Sequence, residues 1–198
     1  HRAFSLVYQP IVHLDSGTIS GVEALCRFND GYPPDAWFEK CEQLGLAPAM
    51  DLAVIELALL DLDRLPPGYL SLNLSAASLA APSVLCDALQ VATARRPIVL
   101  ELTEHAVVED YEVAIEGLRL LRDAGMLLAV DDAGAGYSTL QHILRLAPDI
   151  IKLDRSITSG MDHDPARRAL TNALVIFAAE IGASVVAEGI ETERELAA

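Results

Sequence analysis

The chain has 198 residues, of which 52% are hydrophobic and 22% charged, with a formal charge of −15. That is enough chain for one well-buried domain and gives no ground for two. Such a surface argues against a nucleic-acid polymer as partner, since polyanion binding needs Lys and Arg to displace counterions. No apolar run reaches the ~18 residues of a membrane span, so direct insertion is not expected.

The chain opens on His1-Arg2, without an initiator Met or an apolar leader. It reads as a piece of a longer protein with no secretory signal. Cys26, Cys41 and Cys86 are scattered, odd in number and not in CxxC spacing. They read as reduced, buried thiols of a cytoplasmic protein, or of the cytoplasmic side of a membrane-anchored parent. An anionic ligand would need positive charge supplied at its own site, by metal ions or a few placed basic residues.

In chain order, "FSLVYQPIV" and "TISGVEALCRF" flank "HLDSGT" (13–18), whose Asp15, Ser16 and Gly17 are turn formers. This predicts an antiparallel hairpin. Helical segments follow near 35–44 and 50–62. Then come short, almost continuous apolar runs: "YLSLNLS" (69–75), "PIVLELTE" (97–104), "MLLAVDD" (126–132), "DIIKLD" (149–154) and "ASVVAEG" (183–189). Runs of this kind mark strands buried on both faces of a parallel sheet. Between them, "DYEVAIEGLRLLRDAG" closes on Gly125, and "DPARRALTNALVIFAAEIG" opens on Asp164-Pro165 and closes on Gly182, as helices do. Strand alternating with helix predicts βαβ units.

The strands end in polar residues: Asn73, then Glu101 and Glu104, then Asp131 and Asp132, then Lys152 and Asp154, then Glu188 and Glu191. One such residue is an ordinary cap or turn former. Five successive strands doing so is harder to assign to capping, and in a parallel α/β barrel all strand C-termini open on the face that carries the site. In "EALCR", alternation puts Glu23, Leu25 and Arg27 on one face. Glu23 and Arg27 read either as an ion pair or as a metal ligand beside a phosphate clamp. Glu23, Asn73, Glu101, Asp131 and Asp132 are all oxygen donors, which suits Mg²⁺ or Mn²⁺ better than Zn²⁺. Asp131 and Asp132 are adjacent, and neighbours in a strand face opposite ways. Gly134 and Gly136 permit a tight loop there, ahead of what reads as a helix start. Both carboxylates can then reach the mouth, one to each of two cations or one bridging a pair about 3.5–4 Å apart.

"YQPIV" (8–12), "EALCR" (23–27), "LNLS" (72–75), "ELTE" (101–104), "DDAGAGYSTL" (131–140), "IKLD" (151–154) and "AEGIET" (187–192) together resemble the EAL domain, the phosphodiesterase and receptor module for cyclic di-GMP. The motifs stand in the family's order across nearly the whole chain, 1–198, which is read as a single domain of this type. The resemblance implies a TIM-like (β/α) barrel with an antiparallel first strand, and metal-dependent hydrolysis of cyclic di-GMP to linear pGpG. It implies that Glu23, Asn73, Glu101, Asp131 and Asp132 hold two ions, Mg²⁺ or Mn²⁺. Lys152 would hold the nucleophilic water and Glu188 would be the general base. Gln9, Leu25 and Arg27 would contact the ligand, and Glu104 would steady the loop after the paired aspartates. Glu191 falls in the same acidic cluster, with Asp154 of lower rank. A homodimer and neighbouring sensor or diguanylate cyclase domains are the partners that the family suggests.

The chain departs from the family pattern in three places. The family's DDFGTG loop reads DDAGAG here, with Ala133 and Ala135 replacing Phe and Thr. Loss of the aromatic anchor and the hydroxyl is expected to loosen a loop that couples metal binding to dimerisation. The family continues past Ala198 through one more strand and helix, so this chain is expected to lack that last pair. The segment from Phe28 to Leu46 is also short for the family. The alternative reading is a catalytically impaired domain that senses cyclic di-GMP or binds a protein. An unrelated Mg²⁺-dependent barrel of the enolase type is disfavoured by the motif order.

Overall fold

A computed structural model describes residues 3–103, 111–134 and 139–197. Their contacts divide them into two compact units, one of residues 3–101 and 111–127, the other of 102–103, 128–134 and 139–197.

The first unit begins with the predicted hairpin. Strands β1 (Phe4–Val12) and β2 (Ile19–Phe28) pair antiparallel, with Gln9 opposite Glu23 and Val7 opposite Leu25. Strand β3 (Tyr69–Asn73) adds parallel to β2, and β4 (Ile98–Thr103) parallel to β3. Leu70, Ser71 and Leu72 on β3, like Ile98, Val99 and Leu100 on β4, are each at most 1% exposed. Successive residues can all be buried only if both faces of the sheet are covered. Helices α1 (Pro34–Gln43), α2 (Ala47–Asp61), α3 (Pro82–Thr93) and α4 (Tyr111–Asp123) belong to this unit. The first three carry Pro in the opening turn, where its missing N–H has no helical partner to lose. Val54, Ile55 and Ala58 of α2, Leu85 and Leu89 of α3, and Leu118 and Leu121 of α4 supply the buried helix faces.

The second unit holds β5 (Leu127–Ala133) from Leu128 onwards, β6 (Ile150–Leu153) and β7 (Ser184–Ala187), with β6 parallel to both of the others. Its helices are α5 (Thr139–Leu146), α6 (Arg155–Thr158), α7 (Pro165–Glu180) and α8 (Glu193–Ala197). Asp164 caps α7 as expected, accepting from the N–H of Ala166 at 2.9 Å and of Arg167 at 3.3 Å.

The antiparallel opening and the parallel βαβ succession after it agree with the α/β class predicted. Helix α3 and the short α6 and α8 had no counterpart among the expected elements. The three cysteines are free thiols, but only Cys26 is buried as expected; Cys41 and Cys86 lie on helices and keep partial contact with solvent. Among the described residues no helix is long and apolar enough to cross a membrane.

Candidate active site

In the first unit the predicted donors stand on neighbouring strands. Glu23 is buried on β2, at 9% exposure, and Glu101 on β4 is sealed at 1%. Between them, Asn73 ends β3, in register with Glu101, and its Nδ2 donates to Glu23 Oε1 at 3.1 Å. The Ser71 hydroxyl donates to the Glu101 carboxylate. Gln9 is exposed opposite Glu23, Leu25 is half-buried and Arg27 is exposed, so the β2 face opens towards solvent along its length. Arg27 Nη1 donates to the Cys26 carbonyl at 2.7 Å, which parks the guanidinium against its own strand.

In the second unit the paired aspartates occupy an irregularity of β5. The register against β6 shifts between Val130 and Ala133, and Asp132 takes φ of +56°. This is a bulge with a left-handed residue, the device that re-aims side chains at a strand end. It resolves the alternation problem posed by two adjacent carboxylates. The Asp131 carboxylate accepts the Asp132 N–H at 2.9 Å. Gly134 follows at φ +108°, where an added Cβ would lie 2.7 Å from Ile157 Cδ1. The conformation favours glycine, and an added methyl would also have to displace the end of the Ile157 side chain.

Among the described residues Lys152 is the largest fully buried side chain, 2% exposed. Its Nζ lies 3.1 Å from Asp131 Oδ2 and 2.8 Å from Glu188 Oε1. A buried ammonium is stable only when paired; here it joins the end of β5 to the residue that follows β7. The Glu188 backbone is held on both sides. Its N–H donates to the Leu153 carbonyl at 3.1 Å, and its own carbonyl accepts from the Thr158 hydroxyl.

Asp154 serves α6 as its cap, accepting from the Ser156 N–H at 2.8 Å. Burial pushes its carboxyl up, but the Ser156 hydrogen bonds and the Arg155 charge outweigh this and hold it below the usual range. Glu191 is exposed and tethered through its N–H to Glu195 Oε2 at 3.1 Å. Glu104 lies outside the described residues, as does Ala135; Ala133 is fully buried.

Two carboxylates escaped the sequence reading. Glu195 also accepts from the N–H groups of Gly160 at 2.7 Å and Thr192 at 3.0 Å, while its own N–H donates to Thr192 Oγ1 at 3.2 Å. That is a capping box, legible as Thr-x-x-Glu before a helix. Asp51, on α2, is 3% exposed, and burial raises its carboxyl above the ordinary value despite hydrogen bonds from Ser75 and Ser78. No local motif marks it.

The donor chemistry fits hard divalent cations: the candidate ligands of both units present oxygen alone. Among the described residues no three His, Cys, Asp or Glu side chains gather at metal-binding spacing. The candidate ligands fall as Glu23, Asn73 and Glu101 in one unit and Asp131 and Asp132 in the other.

The chain matches the family model described as "EAL domain" over residues 1–198. It is 34% identical to the cyclic di-GMP phosphodiesterase PA2567 of Pseudomonas aeruginosa, covering 96% of this chain and 35% of that protein. It is 31% identical to the probable cyclic di-GMP phosphodiesterase PdeG of Escherichia coli, covering 96% of this chain and 40% of that one. Among solved structures, it is similar to BlrP1 of Klebsiella pneumoniae in complex with manganese and cyclic di-GMP. The TM-score there is 0.84 at 32% identity, covering 98% of this chain and 51% of the other. The same protein has been solved with calcium and cyclic di-GMP. The chain thus spans 40% or less of the length of these two curated relatives.

Proposed function

The chain belongs to the EAL domain family, and from that premise we propose that it is a divalent-metal-dependent phosphodiesterase that opens one ester bond of cyclic di-GMP to give linear pGpG. The observation that carries the reading is Lys152: a buried ammonium 2.8 Å from Glu188 and 3.1 Å from Asp131. A buried charge held between two strand-end carboxylates serves catalysis more readily than stability, since an apolar side chain would fill the same space without desolvation cost.

Glu23, Asn73, Glu101, Asp131 and Asp132 would hold two ions, Mg²⁺ or Mn²⁺. Bound cations supply water activation and charge neutralisation at the phosphate. Glu188 accepts a proton from the attacking water as the water oxygen bonds to phosphorus and the phosphorus–O3′ bond breaks, the leaving 3′ oxygen taking a proton from solvent. Lys152 orients the Glu188 carboxylate and holds the water against it. Arg27 leaves the Cys26 carbonyl and presents its planar fork to a phosphate oxygen, with Gln9 and Leu25 lining the ligand. Glu104 steadies the loop after the aspartates. A second copy of the chain, and sensor or diguanylate cyclase domains elsewhere in a cytoplasmic or membrane-anchored parent, complete the proposed partners.

The test is chromatography of products after incubating the protein with cyclic di-GMP and Mg²⁺ or Mn²⁺. Formation of pGpG that disappears in Glu188→Gln supports the reading. Ligand binding without product in the wild type overturns it in favour of a receptor.

A further inference from the structure

We propose that Asp51 is a positioning residue for the cation-binding pair Glu23–Asn73, acting through the segment that leaves β3. The inference rests on the metal-dependent reading above.

Asp51 Oδ2 accepts three hydrogen bonds from one short stretch: the Ser75 N–H at 2.8 Å, Ser75 Oγ at 2.6 Å and Ser78 Oγ at 2.7 Å. A carboxylate can satisfy several donors at one oxygen; an amide offers one acceptor oxygen and brings two donors that need partners of their own. The identity of residue 51 is therefore matched to this cluster. Ser75 stands two positions after Asn73 and opens the 3-10 turn Ala76–Ala80. The same stretch is gripped elsewhere. The Leu74 N–H donates to the Glu101 carbonyl at 2.9 Å. Gly117 of α4 lies so close that an added Cβ would stand 2.3 Å from the Leu79 carbonyl oxygen.

What this grip fixes is Asn73. Its Nδ2 is committed to Glu23 Oε1 at 3.1 Å, so its amide oxygen is the atom that it has for a cation. A slack segment after β3 would let the amide rotate, and the donor pair would lose its arrangement. Groups that orient ligands in this way govern metal affinity without touching the ion.

The test is Mn²⁺ binding by calorimetry, with the Asn73 side-chain amide followed by NMR in the metal-free protein. Asp51→Ala is expected to weaken Mn²⁺ binding about tenfold, to shift and broaden the Asn73 amide signals, and to leave KM for cyclic di-GMP unchanged at saturating Mn²⁺. Leu89→Ala, a core change in α3 at a fully buried residue, lowers the melting temperature and is expected to leave both readouts alone. Should Asp51→Ala fail to fold, Ser75→Ala carries the comparison with a smaller shift. Equal Mn²⁺ affinity in Asp51→Ala and wild type, or an equal loss in Leu89→Ala, overturns the inference alone. A wild type that binds no Mn²⁺ overturns the metal-dependent reading, and the Asn73 signals still decide whether Asp51 positions that side chain.

Discussion

Asp132 gives its backbone N–H to the carboxylate of its own neighbour, Asp131, at 2.9 Å, and does so from a left-handed conformation, φ +56°. The two acidic residues are thus one unit of geometry: the conformation of the second fixes the aim of the first. Left-handed backbone at a non-glycine residue stores about 1–3 kcal/mol, and Asp and Asn tolerate it better than most.

Asp132→Asn is therefore expected to melt close to the wild type yet bind Mn²⁺ at least about tenfold more weakly. Asp132→Val, with a branched side chain unsuited to that conformation, should in addition lose about 1–3 kcal/mol of stability. Urea denaturation of the two metal-free variants separates the backbone effect from the charge effect.

Lys152→Met removes the one ammonium shared by Asp131 and Glu188 while keeping most of the buried volume. The loss expected is about 3 kcal/mol, the low end for breaking a buried pair, because Glu188 keeps partial contact with solvent. Hydrolysis should fall below detection. Lys152→Arg is expected to restore neither, since a planar fork does not replace a compact ammonium in a closed space. Denaturant midpoints and pGpG formation check both.

Gly134→Ala meets two obstacles, a φ of +108° and Ile157 Cδ1 at 2.7 Å from the new methyl. It should destabilise the protein by about 1–3 kcal/mol. Adding Ile157→Val removes the Cδ1 contact and is expected to recover only part of this, the remainder being backbone strain. A double-mutant cycle in urea measures the split.

Asp51 predicts a pH dependence of stability. Its folded value is raised above the ordinary 3.8. The folded protein thus binds the proton more tightly than the unfolded chain, and stability from this group is full below 3.8 and declines as pH rises through the folded value. Cys26 faces it from β2, and its thiol, pushed up to about 11, stays protonated throughout. The melting temperature of wild type minus that of Asp51→Asn should therefore grow as pH falls from 7 to about 4. A difference that shrinks over that range contradicts the assignment.

Much of this site could be read from residues alone because the strands from β2 to β4 in one unit, and from β5 to β7 in the other, run parallel. Strands buried on both faces appear as apolar runs, so Asn73, Glu101, Asp131 and Lys152 stand out as the polar residues at or near their ends. The run before Glu188 is apolar too, but β7 is exposed at Ser184 and Ala187 and only half-buried between them, which corrects the expectation of burial on both faces there. The bulge at Asp131–Asp132 was foreseen only as a turn. A left-handed φ at an aspartate has no compositional mark, and it is decided by the register between β5 and β6. Asp51 was invisible for another reason. Its three donors lie 24 and 27 residues away and two of them are serine hydroxyls, which have nothing in sequence to tie them to an aspartate in a helix. Glu195 carried a local signal, the Thr192-x-x-Glu195 box, but its reach to Gly160, 35 residues back, follows from tertiary packing.

The burial of Lys152 has a practical consequence for anyone handling the molecule. The chain contains two lysines, Lys40 and Lys152, and the second is sealed at 2% exposure. Side-chain amine chemistry thus has one open address, Lys40, exposed on α1 with its Nζ 5.4 Å from the ring centre of Trp37, the sole tryptophan. A lysine-directed tag or surface linkage would fall at that one point among the side chains. The indole beside it would report the coupling through its own fluorescence.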